Sequence, residues 1–158
     1  MLSRITLLAM MLVVGIFPLS AQRSAGVTLY DDFFHAATIA VELRTEADTT
    51  VYTLVVTYDE GDIRVFEGSE LTFVMRDKSE ITLRTDRRTT RADVTLRRFP
   101  DRDVRLLTCH YPITAAQLAI IVNQETRRLD ITTSQAQLRR YTRHLPLRLQ
   151  QALRSLRR

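Results

Sequence analysis

The alternation of apolar and polar residues is most regular in the middle of the chain, over residues 104–133. A period of two predicts a strand that stops pairing at Pro112, because proline has no N–H to donate to a ladder. A helix over 115–123 follows, since Thr114 and Gln117 have the spacing of a capping box. A second alternating run then predicts a strand up to Thr133. A short helix between two half-apolar strands indicates the α+β class.

The chain before this segment has the pattern of short strands separated by turns. Residues 22–32 begin polar and are expected to form a loose lead-in. Apolar runs with period two predict strands at 37–43, 51–58, 63–66, 71–75, 81–84 and 94–96. Residues 97–103 are predicted to be a loop. These signals predict an antiparallel meander of roughly six or seven strands, with the short helix and a C-terminal amphipathic helix packed on it.

The C-terminal segment has the period of a helix. Ser134 and Gln137 repeat the capping-box spacing and predict its start. Pro146 should kink or divide this helix near Leu145, because an interior proline removes one hydrogen bond and clashes with the preceding turn. The apolar stripe predicts packing on a sheet, and the alternative is a docking surface for a partner or membrane. The stripe comprises Leu138, Tyr141, Leu145, Leu149, Ala152, Leu153 and Leu156.

The N-terminus has the layout of a secretory signal peptide. Arg4 precedes an uncharged apolar run over residues 5–17, and Ala21 offers a small residue for cleavage. This run is shorter than the roughly 20 residues that span a bilayer. We therefore predict a signal peptide at 1–21, with a cut near Ala25 as the alternative, and a single α+β domain at 22–158. The mature chain is expected to be periplasmic or secreted.

The 158-residue chain is 45% hydrophobic, which suits one globular domain, but its charge is uneven. Residues 22–112 carry a net charge of −3, whereas residues 113–158 carry +7. The usual explanation for charge opposite an apolar stripe is a solvated helix face, and the alternative is a surface for anionic lipid or polysaccharide. The arginine cluster lacks the aromatic interleaving that base stacking would need, so no specific nucleic-acid recognition is expected. The candidate anion-binding residues are Arg139, Arg140, Arg143, Arg148, Arg154, Arg157 and Arg158.

Residue types that carry catalysis are present but poorly arranged. Cys109 is the single cysteine and is expected to be a buried apolar residue. It cannot pair with His110, because successive strand residues point to opposite faces. His35 and His144 are too distant in sequence to form a helical metal pair. No catalytic residue, cofactor site or metal ligand is predicted, although dispersed carboxylates could still converge in the fold.

Two segments, residues 66–85 and 111–133, together with the C-terminal helix, resemble a group of small exported proteins of Bacteroides-type bacteria. The shared features are a strand hairpin, a Tyr-x-Ile-Thr-x-x-x-Leu helix start at Tyr111, and a basic strand before a last helix. The resemblance implies an α+β fold and export to the envelope, and it implies no catalytic residues. This chain departs from the pattern at turn residues 77–80, where glycine is usual, and at Pro146.

These observations favour an exported, non-enzymatic interaction module of the cell envelope, with an envelope protein as the candidate partner. The alternative function is binding of anionic surfaces or polymers through an arginine-rich C-terminal helix. A hydrolase with an unrecognised site is the third hypothesis.

Overall fold

The computed structural model describes residues 21–32, 35–46, 48–59 and 64–156. The predicted signal peptide lies outside the described residues, apart from Ala21. Within these ranges, no helix is both long enough and apolar enough to cross a bilayer.

The described residues form mainly antiparallel strands, with two α-helices and one 3₁₀ turn, which confirms the predicted α+β class. Ten strands are seen in these ranges, where six or seven were expected. The strands are β1 (Gln22–Arg23), β2 (Val27–Asp31), β3 (Ala36–Glu46), β4 (Thr49–Tyr58), β5 (Glu70–Met75), β6 (Glu80–Arg84), β7 (Val94–Arg98), β8 (Asp103–Ile113), β9 (Thr126–Thr132) and β10 (Gln137–Tyr141). The helices are α1 (Ala115–Asn123) and α2 (Leu145–Ser155), and the 3₁₀ turn is Arg91–Asp93.

The strands divide into two sheets. The first sheet has the order β1-β3-β4-β8-β7, and β2 also pairs with β3. The second sheet has the order β10-β9-β5-β6. Pairing is antiparallel throughout the described strands. The chain enters the second sheet at β5 and returns to the first sheet at β7. After β8 it passes through α1 and re-enters the second sheet at β9.

One hydrophobic core joins the two sheets and both helices. The first sheet contributes inward residues such as Ile39 and Val56, and the second contributes Phe73, all of them fully buried. Alternation puts these residues on one face of each strand, and the other face is turned outward. Helix α1 adds Ile121 and α2 adds Leu149, so both helices pack on the same core.

The central strand–helix–strand prediction is confirmed, including the cap of α1. The Thr114 N–H donates to Gln117 Oε1 at 3.1 Å, and the Gln117 N–H donates to Thr114 Oγ1 at 3.2 Å. The expected end of pairing at Pro112 is wrong, because Pro112 lies in β8 opposite Thr53. Strand β7 reaches only as far as Leu107, so the proline faces an open edge where no donor is needed.

The predicted helix start at Ser134 is wrong, since residues 137–141 form strand β10 against β9. Ser134 lies in the turn between these strands, where its N–H donates to the Arg64 carbonyl at 2.7 Å. Helix α2 begins only at Leu145 and runs undivided to Ser155. Pro146 lies in its first turn, where a missing N–H breaks no helical hydrogen bond.

Two further assignments change, one of a loop and one of a strand. The expected lead-in at 22–32 contains β1 and β2, which pair with β3 at two places along its length. The expected strand at 63–66 is irregular over its described part. The Val65 N–H donates to the Thr89 hydroxyl at 3.0 Å and the Phe66 N–H to the Ser69 hydroxyl at 3.0 Å. Side-chain hydroxyl groups therefore accept the hydrogen bonds from these two N–H groups that a neighbouring strand would otherwise accept.

Candidate functional site

The arginines proposed for anion binding do not form one helix face. Arg139 and Arg140 lie on β10, not on a helix. Arg139 is 3.4 Å from Asp130, and Arg140 is 3.7 Å from Asp32 and packs over the Tyr30 ring at 5.7 Å. Both guanidinium groups are therefore engaged within the protein.

The remaining predicted arginines are dispersed. Arg148 lies on α2, is half-buried, and donates to the Thr28 carbonyl at 3.2 Å. Arg143 precedes α2 and Arg154 lies in its last turn, and both are exposed. Arg157 and Arg158 lie outside the described residues. Of the five that are described, only Arg143 and Arg154 remain available to an external anion.

The apolar stripe of the C-terminal segment is mainly core. Leu145, Leu149 and Ala152 are buried, which supports the packing interpretation for this part of α2. Leu153 and Leu156 are half-buried and line a shallow apolar groove of about 290 Å³ between α1, α2 and the first sheet. Tyr141, which was assigned to the same stripe, is on β10 and is 65% exposed. The stripe is thus divided between two elements.

Cys109 is poorly suited to nucleophilic chemistry. It is 1% exposed, and burial raises the pKa of its thiol to about 12. Its neighbour His110 points to the opposite face of β8, as expected for successive strand residues. Among the residues described, no group of three or more His, Cys, Asp or Glu side chains is placed to hold a metal ion.

The hairpin formed by β7 and the beginning of β8 exposes two large apolar side chains of the first sheet. Every β7 residue after Val94 is exposed. The turn is closed by the Phe99 N–H, which donates to the Arg102 carbonyl at 2.8 Å. Leu96 is 50% exposed and Phe99 is 40% exposed. A strand that carries large apolar side chains into solvent is a candidate interaction surface.

Strand β7 is also an edge, because within the described chain it pairs with β8 alone. In an antiparallel sheet, the N–H and C=O of one residue point to one neighbour and those of the next residue to the other. The Val41 carbonyl accepts from the Ser24 N–H at 2.9 Å, so odd-numbered residues of β3 face β1. Even-numbered residues of β3 therefore face β4 and bond to odd-numbered β4 residues, which leaves the even-numbered β4 residues to face β8. These bond to odd-numbered residues of β8, so the even-numbered residues of β8 face β7.

The same alternation determines which β7 residues direct their backbone groups to β8 and which direct them to the free edge. Thr95 and Arg97 lie opposite even-numbered residues of β8 and bond to that strand. Leu96 and Arg98 therefore turn their N–H and C=O groups to the edge, where no described strand receives them. The edge offers alternate backbone donors and acceptors at the spacing of a β-ladder.

A concave surface of about 250 Å³, here called the hairpin groove, lies on the outer face of the first sheet and extends from the β7–β8 hairpin across β4 to β3. It is lined by Ala36, Ala37, Thr38, Thr57, Asp59, Arg97, Phe99, Arg102, Val104 and Leu106. The Arg97 guanidinium stacks 5.0 Å from the centre of the Phe99 ring. Neither Arg97 nor Arg102 has an ion-pair partner among the residues that the structure describes. The groove therefore combines small and apolar side chains with two arginines at the hairpin and the Asp59 carboxylate.

Sequence reasoning assigned residues 97–103 to a loop and so missed this surface. The alternation that marked Val94 and Leu96 as strand continues into Arg98, and a turn around Pro100 joins it to the apolar run of β8. That pattern could have predicted a hairpin. It could not have predicted an open edge, because the edge depends on where the other strands pair.

Comparison of this chain with models of protein families, with curated proteins and with solved structures found no match.

Proposed function

We propose that this protein is an exported, non-enzymatic interaction module that binds an extended segment of a protein partner along β7. The observation that carries the proposal is the open edge, where the backbone groups of Leu96 and Arg98 have no partner strand among the residues that the structure describes. An extended peptide that adds to a sheet edge gains main-chain hydrogen bonds, and side-chain pockets select its sequence.

The side chains around the edge favour a partner segment with apolar and acidic residues. A strand added to β7 would place alternate side chains beside Leu96 on one face and beside Arg97 on the other. Leu96 and Phe99 suit apolar side chains, whereas Arg97 and Arg102 suit carboxylates. The preferred segment is therefore extended, with an apolar anchor and acidic neighbours.

The same charges work against self-association. Exposed strand edges invite pairing with a second copy, and proteins commonly block this with charged residues. Arg97 and Arg98 would face the same residues of another molecule across a symmetric edge, and like charges repel. The edge therefore disfavours a second copy and favours a segment of opposite charge.

Export and the absence of catalysis remain part of the proposal. The N-terminal apolar run and its small-residue cleavage point support delivery to the envelope. The resemblance to small exported bacterial proteins supports the same location. The buried Cys109 thiol supports a non-catalytic role, since a thiol with a raised pKa is a poor nucleophile at neutral pH.

The proposal can be tested by photo-crosslinking in cells that export the protein. A benzophenone amino acid would replace Arg98 at the edge or, as the control, Thr82 on β6, which is also exposed. A discrete adduct from position 98 that is missing from position 82, and that yields an extended acidic–apolar peptide, is the expected result. Identical adducts from both positions, or none from position 98, would overturn the proposal.

A second candidate function, binding of anionic lipid or polysaccharide near α2, is favoured by one observation. Arg143 and Arg154 are exposed, and neither has an ion-pair partner in the described ranges. Two separated cations give weak, salt-sensitive adsorption. Binding along β7 has the broader geometric support, because backbone groups, apolar side chains and charges meet there.

A further inference from the structure

Helix α1 exposes apolar side chains where a helix at a protein surface normally carries polar ones. The exposed apolar residues are Ala115, Ala116, Ala119 and Ile120. None of the nine residues of α1 is charged. Its two polar side chains are engaged locally, since Gln117 accepts from the N-cap N–H and Asn123 donates to the Ala119 carbonyl. The solvent side of α1 is therefore suited to an apolar environment.

This apolar surface continues into the groove of about 290 Å³ between α1, α2 and the first sheet, here called the helix groove. Every side chain in its lining is apolar or aromatic. Helix α1 contributes Ala115 and Ala119, α2 contributes Leu153 and Leu156, and the sheet contributes Leu43 and Tyr52. Contiguous apolar surface of this kind marks sites that bind another protein or a membrane.

The α2 end of the helix groove is basic. Arg154 follows the groove residue Leu153 in the last turn of α2 and is exposed. It has no ion-pair partner among the residues that the structure describes. No acidic residue follows Asp130 in the sequence. An anionic surface is therefore favoured at this end of the groove.

The acidic residues nearest in sequence to the groove lining are Glu42, Glu46, Asp48 and Glu125. Glu42 accepts a hydrogen bond from Arg44 at 2.9 Å, and Glu125 accepts one from the backbone N–H that precedes α2 at 3.1 Å. Glu46 and Asp48 lie at the tip of the β3–β4 hairpin, beyond Leu43. Unpaired negative charge is therefore at the sheet end of the groove, away from α1 and α2.

The start of the predicted mature chain lies beside the same groove. Gln22 of β1 is opposite Leu43, which lines the groove on the sheet side. On the signal-peptide prediction, the apolar run at residues 5–17 is engaged with the membrane until cleavage after Ala21. The part of the domain closest in sequence to the membrane at that moment is therefore the edge that carries the helix groove.

We propose that the exposed side of α1 and the helix groove dock on a lipid bilayer that contains anionic lipid. An interfacial helix lies in the membrane plane with apolar side chains at the acyl boundary and basic side chains at the headgroups. Ile120 is the inserted side chain, and Arg154 pairs with lipid phosphates. The proposal rests on the second candidate function and adds an apolar anchor to adsorption by charge. It does not depend on binding along β7.

The sequence has no tryptophan, so a single introduced tryptophan reports its own surroundings. Ile120→Trp places the reporter on α1, where Ile120 is 38% exposed. Phe66→Trp is the control, because Phe66 is 56% exposed and follows Arg64, which accepts from Ser134 at the end of β9 remote from α1. Each mature variant is mixed with vesicles of phosphatidylcholine and phosphatidylglycerol that have brominated acyl chains.

The emission of the Ile120→Trp variant is expected to shift to shorter wavelength and to be quenched by the bromine atoms, while the control stays unchanged. Adsorption that quenches neither tryptophan, or both equally, would overturn insertion through α1 and leave the second candidate function standing. No adsorption would overturn both. A shift that grows with protein concentration without vesicles would identify a second copy as the occupant. An equal shift with dextran sulfate would identify a polysaccharide. Either result would overturn the bilayer.

A pair of serine variants measures the contribution of the inserted side chain. Ile120→Ser is expected to weaken vesicle binding about tenfold, because one large apolar side chain no longer leaves water. The slope of log affinity against log salt should stay unchanged, since no charge is removed. Phe66→Ser should leave vesicle binding unchanged. Both positions are exposed, so thermal unfolding should show that both variants remain folded. Equal weakening by the two variants would contradict docking through α1.

Discussion

Leu96 lies opposite Arg105 in the β7–β8 ladder, and its own N–H and C=O point away from that ladder toward solvent. Its neighbour Thr95 has the reverse orientation and bonds to β8. Two adjacent residues of one exposed strand therefore direct their backbone N–H and C=O groups to opposite sides of the strand. This difference allows the open edge to be tested without disturbing the rest of the sheet.

The first prediction concerns proline at these two positions. Thr95→Pro removes a donor within the ladder and should cost about 1–3 kcal/mol of unfolding free energy, because a carbonyl of β8 is left unpaired. Leu96→Pro removes only an outward N–H and should cost clearly less. Urea unfolding of the two variants measures the difference.

Partner capture adds a second readout to the same variants. Leu96→Pro should abolish the photo-crosslink at position 98, whereas Leu96→Ala, which keeps the N–H, should retain part of it. An equal destabilisation by both prolines would contradict the assigned alternation. Full capture by the Leu96→Pro variant would contradict strand addition.

The second prediction separates the core and solvent faces of α2. Leu149 is fully buried, so Leu149→Ala should lower the unfolding free energy by about 2–5 kcal/mol through lost contacts and a cavity. Leu147 is 57% exposed on the same helix, and Leu147→Ala should change stability by no more than about 0.5 kcal/mol. Chemical denaturation measures both values. A small effect at Leu149, with loss of partner capture, would instead make this face a docking surface.

Some of this structure could be predicted from sequence because its cause is local. Helix α1 depends on Thr114 and Gln117, three residues apart, and both its start and its end were predicted correctly. The hairpin of β5 and β6 is equally local. Strand β10 was misassigned because Leu138, Tyr141 and Leu145 also have helical spacing. Pairing with β9 overrides that period, and nothing in the local pattern reveals it.

The division into two sheets depends on distant contacts. Strand β5 pairs with β9 across more than fifty residues of chain, as Leu71 opposite Ile131 shows. A concave surface on the outer face of the first sheet likewise brings Glu42, Arg87 and His110 together from three separate segments. Sequence spacing gives no measure of such proximity. Neither the open edge at β7 nor this concave surface could therefore be predicted before the strand order was known.

The third prediction concerns stability at alkaline pH. Tyr58 and Tyr111 hydroxyls meet at 3.2 Å in the core, and burial raises the pKa of both, as it does for Cys109. A group whose folded pKa is raised stabilises the protein fully below its unfolded pKa, and this stability is lost as pH rises through the folded value. The unfolded thiol titrates near 9.0 and the folded one near 12, so stability should fall across this window.

Thermal unfolding measured between neutral pH and strongly alkaline pH checks this prediction. Tyr111→Phe and Cys109→Ala should each flatten the decline, although each also changes packing at neutral pH. In the folded protein at mildly alkaline pH, Cys109 should resist alkylation by iodoacetamide and should react after denaturation. Rapid alkylation of the native protein, or a melting temperature that does not change with pH, would contradict the buried network.

The fourth prediction addresses the arginines near α2. Adsorption to vesicles that contain anionic lipid should weaken steeply with salt, since each phosphate contact releases counterions. Arg143→Gln with Arg154→Gln should lower the slope of log affinity against log salt by about two. Arg88→Gln with Arg91→Gln removes two exposed charges from the loop after β6 and serves as the control. Equal reductions from both double variants would show that adsorption follows net charge alone.

Amide hydrogen exchange along β7 tests the central claim most directly. In the mature protein alone, the Thr95 and Arg97 amides should exchange slowly, whereas the Leu96 and Arg98 amides should exchange quickly. A saturating amount of the partner segment captured at position 98 should protect Leu96 and Arg98 and leave the other two unchanged. Unchanged exchange at Leu96 and Arg98 with the partner bound would contradict strand addition at this edge.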